Sequence, residues 1–217
     1  MIVPHAGYIY SGPVAASAYA ALAEIREHIQ RVVLIGPDHR VGFRGIAAPV
    51  SETFETPLGI IPVDQACIKR LVGVVEFDTA HAQEHSLEVH LPFLQKTLKE
   101  FSLVPLVIGQ VEPGEVSAVL EQLWGGDETL IVVSSDLSHY HDYETACTID
   151  GETTRAIESF NGAVIGPQQA CGYLGVRGLL QVAREKGLRE HTVDLRNSGD
   201  TAGPRDQVVG YGAYLFY

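Results

Sequence analysis

The chain has 217 residues, of which 46% are hydrophobic and 19% are charged, and its formal net charge is −12 at pH 7. This length suits one domain with a large core, and the acidic balance argues against nucleic acids and anionic membrane surfaces as partners. The apolar stretches are too short for a transmembrane helix, and no signal-peptide pattern is visible. Three scattered cysteines, Cys67, Cys147 and Cys171, do not form a disulfide framework, so we expect a cytoplasmic protein.

Short apolar runs alternate with helical patterns along the chain. The patterns predict helices at 12–24, 64–71, 86–99, 113–124, 143–160 and 168–186, with strands at 31–35, 45–50, 59–63, 103–108, 129–133, 191–195 and 208–216. Asp64 is the predicted N-cap of the second helix. This alternation favours an α/β fold with a mixed, largely parallel sheet that helices cover on both faces.

Polar loops follow several of the predicted strands. His5 follows the apolar Met1-Ile2-Val3, and His39 follows the strand at 31–35 in the segment Gly36-Pro37-Asp38-His39. Open α/β sheets carry their ligands at such strand ends, and neutral imidazole is the commonest metal ligand. The two histidines therefore suggest a shared site, although each taken alone is better explained as a solvated loop histidine.

Six motifs occur in a characteristic order: PHAGY, GPDH, EHSLEVHLPF, SSDLSH, ACGY and NSGD. Together they resemble the Memo family, whose bacterial members are called protein B of the AmmeMemoRadiSam system. The resemblance runs from Ile2 to the C-terminus and implies a fold similar to the LigB-type class III extradiol dioxygenases, which use non-haem iron. Family members usually carry a further segment before PHAGY, so we expect a single Memo-like domain over 1–217 with a short N-terminus. The other components of that system are the protein partners that the resemblance implies.

The resemblance maps metal binding to His5, His39 and Cys171. Two imidazoles and a thiolate suit iron or copper, with zinc as a further choice, and three protein ligands leave a coordination position open. Cys171 lies close to the start of a predicted helix, where the helix dipole favours the thiolate. The alternative for Cys171 is a small buried hydrophobic residue, and the resemblance favours ligation.

The resemblance also places a polar pair, Asp136 and His139, beside the metal. Histidine exchanges protons near neutral pH, so His139 is the candidate general acid or base. Asp136 lies three residues earlier and is expected to orient His139 or to contact a metal-bound water. In the alternative, Asp136 is a turn residue and His139 is solvated.

The segment Glu84-His85-Ser86-Leu87-Glu88-Val89-His90 resembles a zincin helix only superficially. A zincin needs histidines four residues apart, whereas five residues on a helix place these two roughly 140° apart. We interpret His90 as a core histidine. Glu84, His85 and Glu88 have the reach to contact the pocket, but the sequence assigns them no role.

Two functions remain open at this point. The first is a metal-dependent protein with a redox or oxygen-related activity on a small molecule or peptide, related to the extradiol dioxygenases. The alternative is a non-catalytic binding module whose pocket docks a peptide or partner protein. Cys171 stands where the dioxygenases carry a carboxylate, which argues against ring cleavage itself.

Overall fold

A mixed 9-stranded sheet with helices on both faces forms the centre of the computed structural model, which describes residues 1–112 and 114–217. This architecture confirms the predicted fold class. The strands are β1 (Ile2–Val3), β2 (Arg31–Pro37), β3 (Ile46–Ala48), β4 (Thr53–Thr56), β5 (Gly59–Pro62), β6 (Val74–Glu76), β7 (Ser102–Ile108), β8 (Thr129–Ser134), β9 (His139–His141), β10 (Glu190–Asn197) and β11 (Val208–Phe216). The helices are α1 (Tyr8–Ala20), α2 (Gln65–Ile68), α3 (Asp78–His81), α4 (His85–Glu88), α5 (Leu91–Thr97), α6 (Glu115–Leu123), α7 (Tyr143–Glu158) and α8 (Tyr173–Glu185).

The sheet has the strand order β10-β11-β1-β8-β2-β7-β3-β6, and β9 pairs with β11 outside this path. Strands β1, β8, β2 and β7 are mutually parallel, whereas β11 runs antiparallel to β1 and β3 runs antiparallel to β7. Strands β4 and β5 form a separate hairpin. The carboxyl ends of the four parallel strands therefore meet at one edge of the sheet.

The two faces of the sheet each carry a hydrophobic core. Along β2, Val33 and Ile35 pack into the core that contains α6 and α8, whereas Val32 and Leu34 pack into the core that contains α1 and α5. This alternation follows from the period of two in a strand. A strand that is buried on both faces reads as a continuous apolar run, which is why β2 was predictable.

Several boundaries differ from the predictions for local reasons. The predicted helix at 86–99 is two helices, α4 and α5, because Pro92 lies in the first turn of α5 and favours a new helix start there. The helix predicted at 64–71 is shorter, but Asp64 caps it as predicted, accepting a hydrogen bond from the Cys67 N–H at 2.8 Å. Pro113, predicted in the first turn of the helix at 113–124, lies outside the described residues. Among the described helices, none is long and apolar enough to cross a membrane.

Candidate metal centre

Three neighbouring parallel strands deliver the polar residues of the site. His5, Asp136 and His39 each lie two residues beyond the last residue of β1, β8 and β2, respectively. Because β8 lies between β1 and β2 in the sheet, Asp136 emerges between the two histidines. Cys171 reaches the same place from another direction, through the loop that leads into α8.

The side chains of His5, His39 and Cys171 converge as the sequence predicted. One potential ligand atom of each lies within 4.8 Å of the other two. The Sγ atom of Cys171 lies 3.4 Å from Nε2 of His5, and the centroids of the two imidazoles are 5.2 Å apart. Sulfur and nitrogen ligands of a tetrahedral ion are separated by about 3.5 Å, so the spacing of this donor set fits one transition-metal ion.

Glu84 holds the ring of His39. Its buried carboxylate accepts hydrogen bonds from His39 Nδ1 at 2.9 Å and from the His39 backbone N–H at 2.6 Å. It also caps α4 by accepting from the Ser86 N–H at 2.9 Å. Burial by itself would raise the pKa of Glu84, but the hydrogen bonds from His39 and Ser86 lower it to about 2. The ionised carboxylate thus engages Nδ1 of His39 and leaves Nε2 as the donor atom for a metal.

Asp136 ties together the two loops that carry His5 and Cys171. Its Oδ1 accepts hydrogen bonds from the backbone N–H groups of His5 at 2.8 Å and Ala6 at 3.2 Å. Its own backbone N–H points at the Cys171 sulfur at 3.3 Å. Burial raises the pKa of the Asp136 carboxyl, although the two backbone N–H groups and the nearby histidines act in the opposite direction.

The helix start beside Cys171 led us to expect a thiolate there, and the structure corrects this expectation. Cys171 does directly precede the first residues of α8, but the helix dipole does not decide its charge. Burial raises the pKa of the thiol to about 12, and the negative charge of Asp136 adds to this effect. This favours the thiol over the thiolate at neutral pH, so a cation that bound Cys171 would have to displace its proton.

His85, to which the sequence assigned no role, also lies at the site and belongs with His39 and Glu84 to a second group whose ligand atoms lie within 4.8 Å of one another. Its ring stacks on His39 with centroids 5.0 Å apart and meets His5 edge-on at 5.5 Å. Among the described residues, its buried Nδ1 has no hydrogen-bond partner, although Glu84 Oε1 lies 3.5 Å away. Nearly half of its side chain is exposed (45%), so a third imidazole faces the open side of the site. The sequence feature that could have indicated His85 is its position directly after Glu84. The Glu84 carboxylate orients His39, so the residue next to Glu84 also lies close to His39.

His139 lies on β9 and is half-buried, one residue before the exposed Tyr140, whose backbone φ is 60°. It is close enough to lower the pKa of His5 and to act electrostatically on Asp136. Its ring nitrogens do not lie within 4.8 Å of the ligand atoms of both His5 and Cys171, so His139 stands apart from the three converging side chains. His90, in contrast, is fully buried and hydrogen-bonded on both ring nitrogens, as expected of a core histidine.

A cavity of about 290 Å³ opens on the Cys171 side of the site. Its walls come from the carboxyl ends of β2, β7 and β8, from the first turn of α8 and from the loop after β2. The lining mixes apolar side chains such as Ile35, Ile108 and Leu174 with the polar side chains of Asp38 and Gln110. A small organic molecule with a few polar groups fits such a cavity.

Comparison with known proteins assigns the family. A model of the family described as Memo-like protein matches residues 1–215. A MEMO1 family protein of Metallosphaera sedula is 35% identical over 231 residues, which cover 99% of this chain and 82% of the relative. MEMO1 family proteins of Saccharolobus solfataricus and Methanosarcina mazei are 37% and 36% identical, with 99% of this chain and 81% and 84% of the relatives covered. With the family model spanning almost the whole chain and full-length relatives above 30% identity, this protein belongs to the Memo family.

Proposed function

We propose that this protein binds one transition-metal ion through His5, His39 and Cys171 and uses it in a redox or oxygen-related reaction on a small molecule. The observation that carries the proposal is the convergence of these three donors at one edge of the sheet, with their ligand atoms within 4.8 Å. The chain also orients the donors in advance, since Glu84 holds the ring of His39 and Asp136 holds the loop of His5. Such orientation is typical of built metal sites.

The donor chemistry suits iron, copper and zinc, and the proposed redox role selects iron or copper among them because zinc has no redox chemistry. A thiolate is a soft, charge-donating ligand, and together with two imidazoles it suits Cu(I), iron and zinc better than magnesium or calcium. A bound iron or copper ion would supply a redox couple and an open coordination position. The partly exposed His39 and His85 mark the side on which that position is accessible.

The neighbouring residues supply proton transfer and shape. His139 is the general acid or base, since its ring is half-buried beside His5 and Asp136 and can hold or release a proton at a ring nitrogen. Asp136 holds the His5 loop and the Cys171 sulfur close to each other through its hydrogen bonds to both. The cavity next to Cys171 receives the substrate and limits its size.

The first experiment is elemental analysis of protein purified anaerobically without an affinity tag. We expect about one iron or copper ion per chain in the wild type and a large loss of metal in Cys171→Ser, because a hydroxyl is a poor ligand for these ions. The matched control is Cys147→Ser, which alters an exposed free cysteine in α7 that does not belong to the donor set. The proposal fails if the wild type takes up neither metal on anaerobic reconstitution, or if both serine variants retain the same content.

A second experiment tests the redox part of the proposal. Cys171→Asp rebuilds two histidines and one carboxylate, the ligand set of non-haem ferrous oxygenases. We expect this variant to bind ferrous iron and to consume oxygen in the presence of a catechol, while Cys171→Ser does not. If neither the wild type nor Cys171→Asp consumes oxygen in the presence of a catechol, the redox role is wrong even where metal binds.

A further inference from the structure

A chain of buried hydrogen bonds leads from Tyr19 in α1 to His5 of the candidate metal centre. The Tyr19 hydroxyl lies 3.0 Å from Nδ1 of His90, and Nε2 of His90 lies 2.9 Å from the Ser134 hydroxyl. The same Ser134 oxygen lies 2.6 Å from Nδ1 of His5 and 2.6 Å from the backbone carbonyl oxygen of Ser86. Tyr19, His90, Ser134 and His5 are all buried, so water does not compete for these bonds.

The position of every proton in this chain follows from one contact. A carbonyl oxygen accepts only, so the single proton of the Ser134 hydroxyl must point to the Ser86 carbonyl. The Ser134 oxygen then has only lone pairs left, and both histidines that approach it must donate. His5 therefore carries its proton on Nδ1, and His90 carries its proton on Nε2.

The far end of the chain agrees with this assignment. With its proton on Nε2, a neutral His90 accepts at Nδ1 from the Tyr19 hydroxyl. Burial, together with the nearby His5, lowers the pKa of His90 to about 3, so the neutral ring is the form present at neutral pH. All of the donors and acceptors in the chain are satisfied by one arrangement.

We infer that Ser134 and His90 are positioning residues that fix the ring tautomer of His5, with Nδ1 protonated and the lone pair of Nε2 aimed at the metal position. A neutral histidine free in water favours the opposite tautomer, in which Nε2 carries the proton and cannot bind a metal. His5 Nε2 lies on the Cys171 side, 3.4 Å from the sulfur, where a shared ion would sit. The two imidazole ligands are thus held differently, His39 by the Glu84 carboxylate and His5 by an uncharged hydroxyl relay.

The inference concerns the metal site proposed above, but its main test uses metal-free protein. In protein labelled with ¹⁵N-histidine, long-range ¹H–¹⁵N correlation spectra distinguish protonated from bare ring nitrogens, and the signals of His5 are those lost in His5→Gln. We expect the wild type to show a protonated Nδ1 and a bare Nε2 at His5. In Ser134→Ala the acceptor is gone, and we expect His5 to shift largely to the tautomer with protonated Nε2.

Matched variants separate positioning from a general disturbance of the loop. Ser138→Ala removes another buried hydroxyl, four residues further along the chain and without a hydrogen-bond partner among the described residues, and should leave the His5 tautomer unchanged. His90→Gln keeps a donor toward Ser134, so His5 should largely retain its proton on Nδ1. His90→Leu removes that donor and should give a mixture of the two His5 tautomers. The inference is overturned if wild-type His5 carries its proton on Nε2, or if Ser134→Ala leaves the tautomer unchanged.

A second readout connects the tautomer to ligation. Because removal of a group that orients a ligating histidine typically costs about 10–100-fold in metal affinity, we expect the Kd for Co²⁺ to rise by that factor in Ser134→Ala and to stay near wild type in Ser138→Ala. If the wild type binds no Co²⁺ while the tautomer behaves as described, the positioning role stands and the proposed metal function fails. Equal Co²⁺ affinity in Ser134→Ala and the wild type would contradict the positioning role.

Discussion

Replacing Glu84 with glutamine tests the part of the site on which the structure is most explicit. The carboxylate accepts three N–H groups, one from the His39 ring, one from the His39 backbone and one from the backbone of Ser86. A glutamine keeps one acceptor oxygen but puts an NH₂ group where the second oxygen was. Whichever way the amide turns, at least one N–H of His39 then faces another donor.

The size of the effect follows from those contacts. A hydrogen bond to a charged acceptor contributes about 1.5–3 kcal/mol, and a buried donor left without a partner costs a further 1–3 kcal/mol. We expect Glu84→Gln to lower the free energy of unfolding at pH 7 by about 2–4 kcal/mol. Because the pKa of Glu84 is lowered to about 2 in the folded protein, its contribution is present above pH 4.5 and is lost as the pH falls toward 2. The difference between Glu84→Gln and the wild type should therefore narrow at acid pH.

The assay is urea denaturation of metal-free protein, paired with a competition titration for Co²⁺ or Fe²⁺. The control is Glu88→Gln, which removes an exposed carboxylate from the same short helix. Metal affinity should fall about 10–100-fold in Glu84→Gln, since Nδ1 of His39 loses the partner that orients its ring. The reasoning is refuted if Glu84→Gln and Glu88→Gln match in both stability and affinity.

Three further predictions use other parts of the site. His90 takes up a proton below about pH 6.5 in the unfolded chain but only near pH 3 in the folded protein. The free energy of unfolding should therefore fall by up to about 1.4 kcal/mol for each pH unit between about pH 6.5 and pH 3. Urea denaturation at pH 7 and pH 5 should show a smaller fall in His90→Gln than in the wild type. A Cβ at Gly172 would collide with the backbone of β8, so Gly172→Ala should lower the free energy of unfolding by at least about 1 kcal/mol and reduce the metal content. Gly151 in α7 has open space around it, so Gly151→Ala should raise the free energy of unfolding by about 0.5–1 kcal/mol. His139→Ala should keep its metal on elemental analysis while His39→Ala loses most of it, and equal losses would make His139 a ligand.

The sequence predicted the sheet and the approach of His5 and His39 to one edge of it, because both depend on local patterns. The apolar run at 31–35 marks β2, and the turn that follows it must place His39 at the strand end. His5 follows the same rule after β1, although β1 has only two residues, Ile2 and Val3. Cys171 was predictable only through the family motif, since no strand end carries it.

What the sequence did not predict depends on contacts between distant segments. Glu84 binds His39, 45 residues away, and His90 meets Ser134, 44 residues away, so no pattern along the chain announces either pair. The protonation of Cys171 was predicted wrongly for the same reason. The helix start next to it is visible in the sequence, but the burial of its sulfur and the approach of Asp136 come from the folded chain.

The buried carboxyl groups of the site influence both the binding of a cation and the ionisation of Cys171. Glu84 and Asp136 are buried carboxyl groups within one cluster, and they accept hydrogen bonds from backbone N–H groups and, at Glu84, from the imidazole of His39. Buried charges are usually paired, and among the described residues no lysine or arginine forms an ion pair with either carboxyl group. A metal cation would add positive charge beside these carboxyl groups, and it would oppose both effects that raise the pKa of the Cys171 thiol, the burial and the charge of Asp136. If Cys171 binds a metal as proposed, ionisation of its thiol would be coupled to that binding, and the nearby carboxylates of Glu84 and Asp136 would attract the cation.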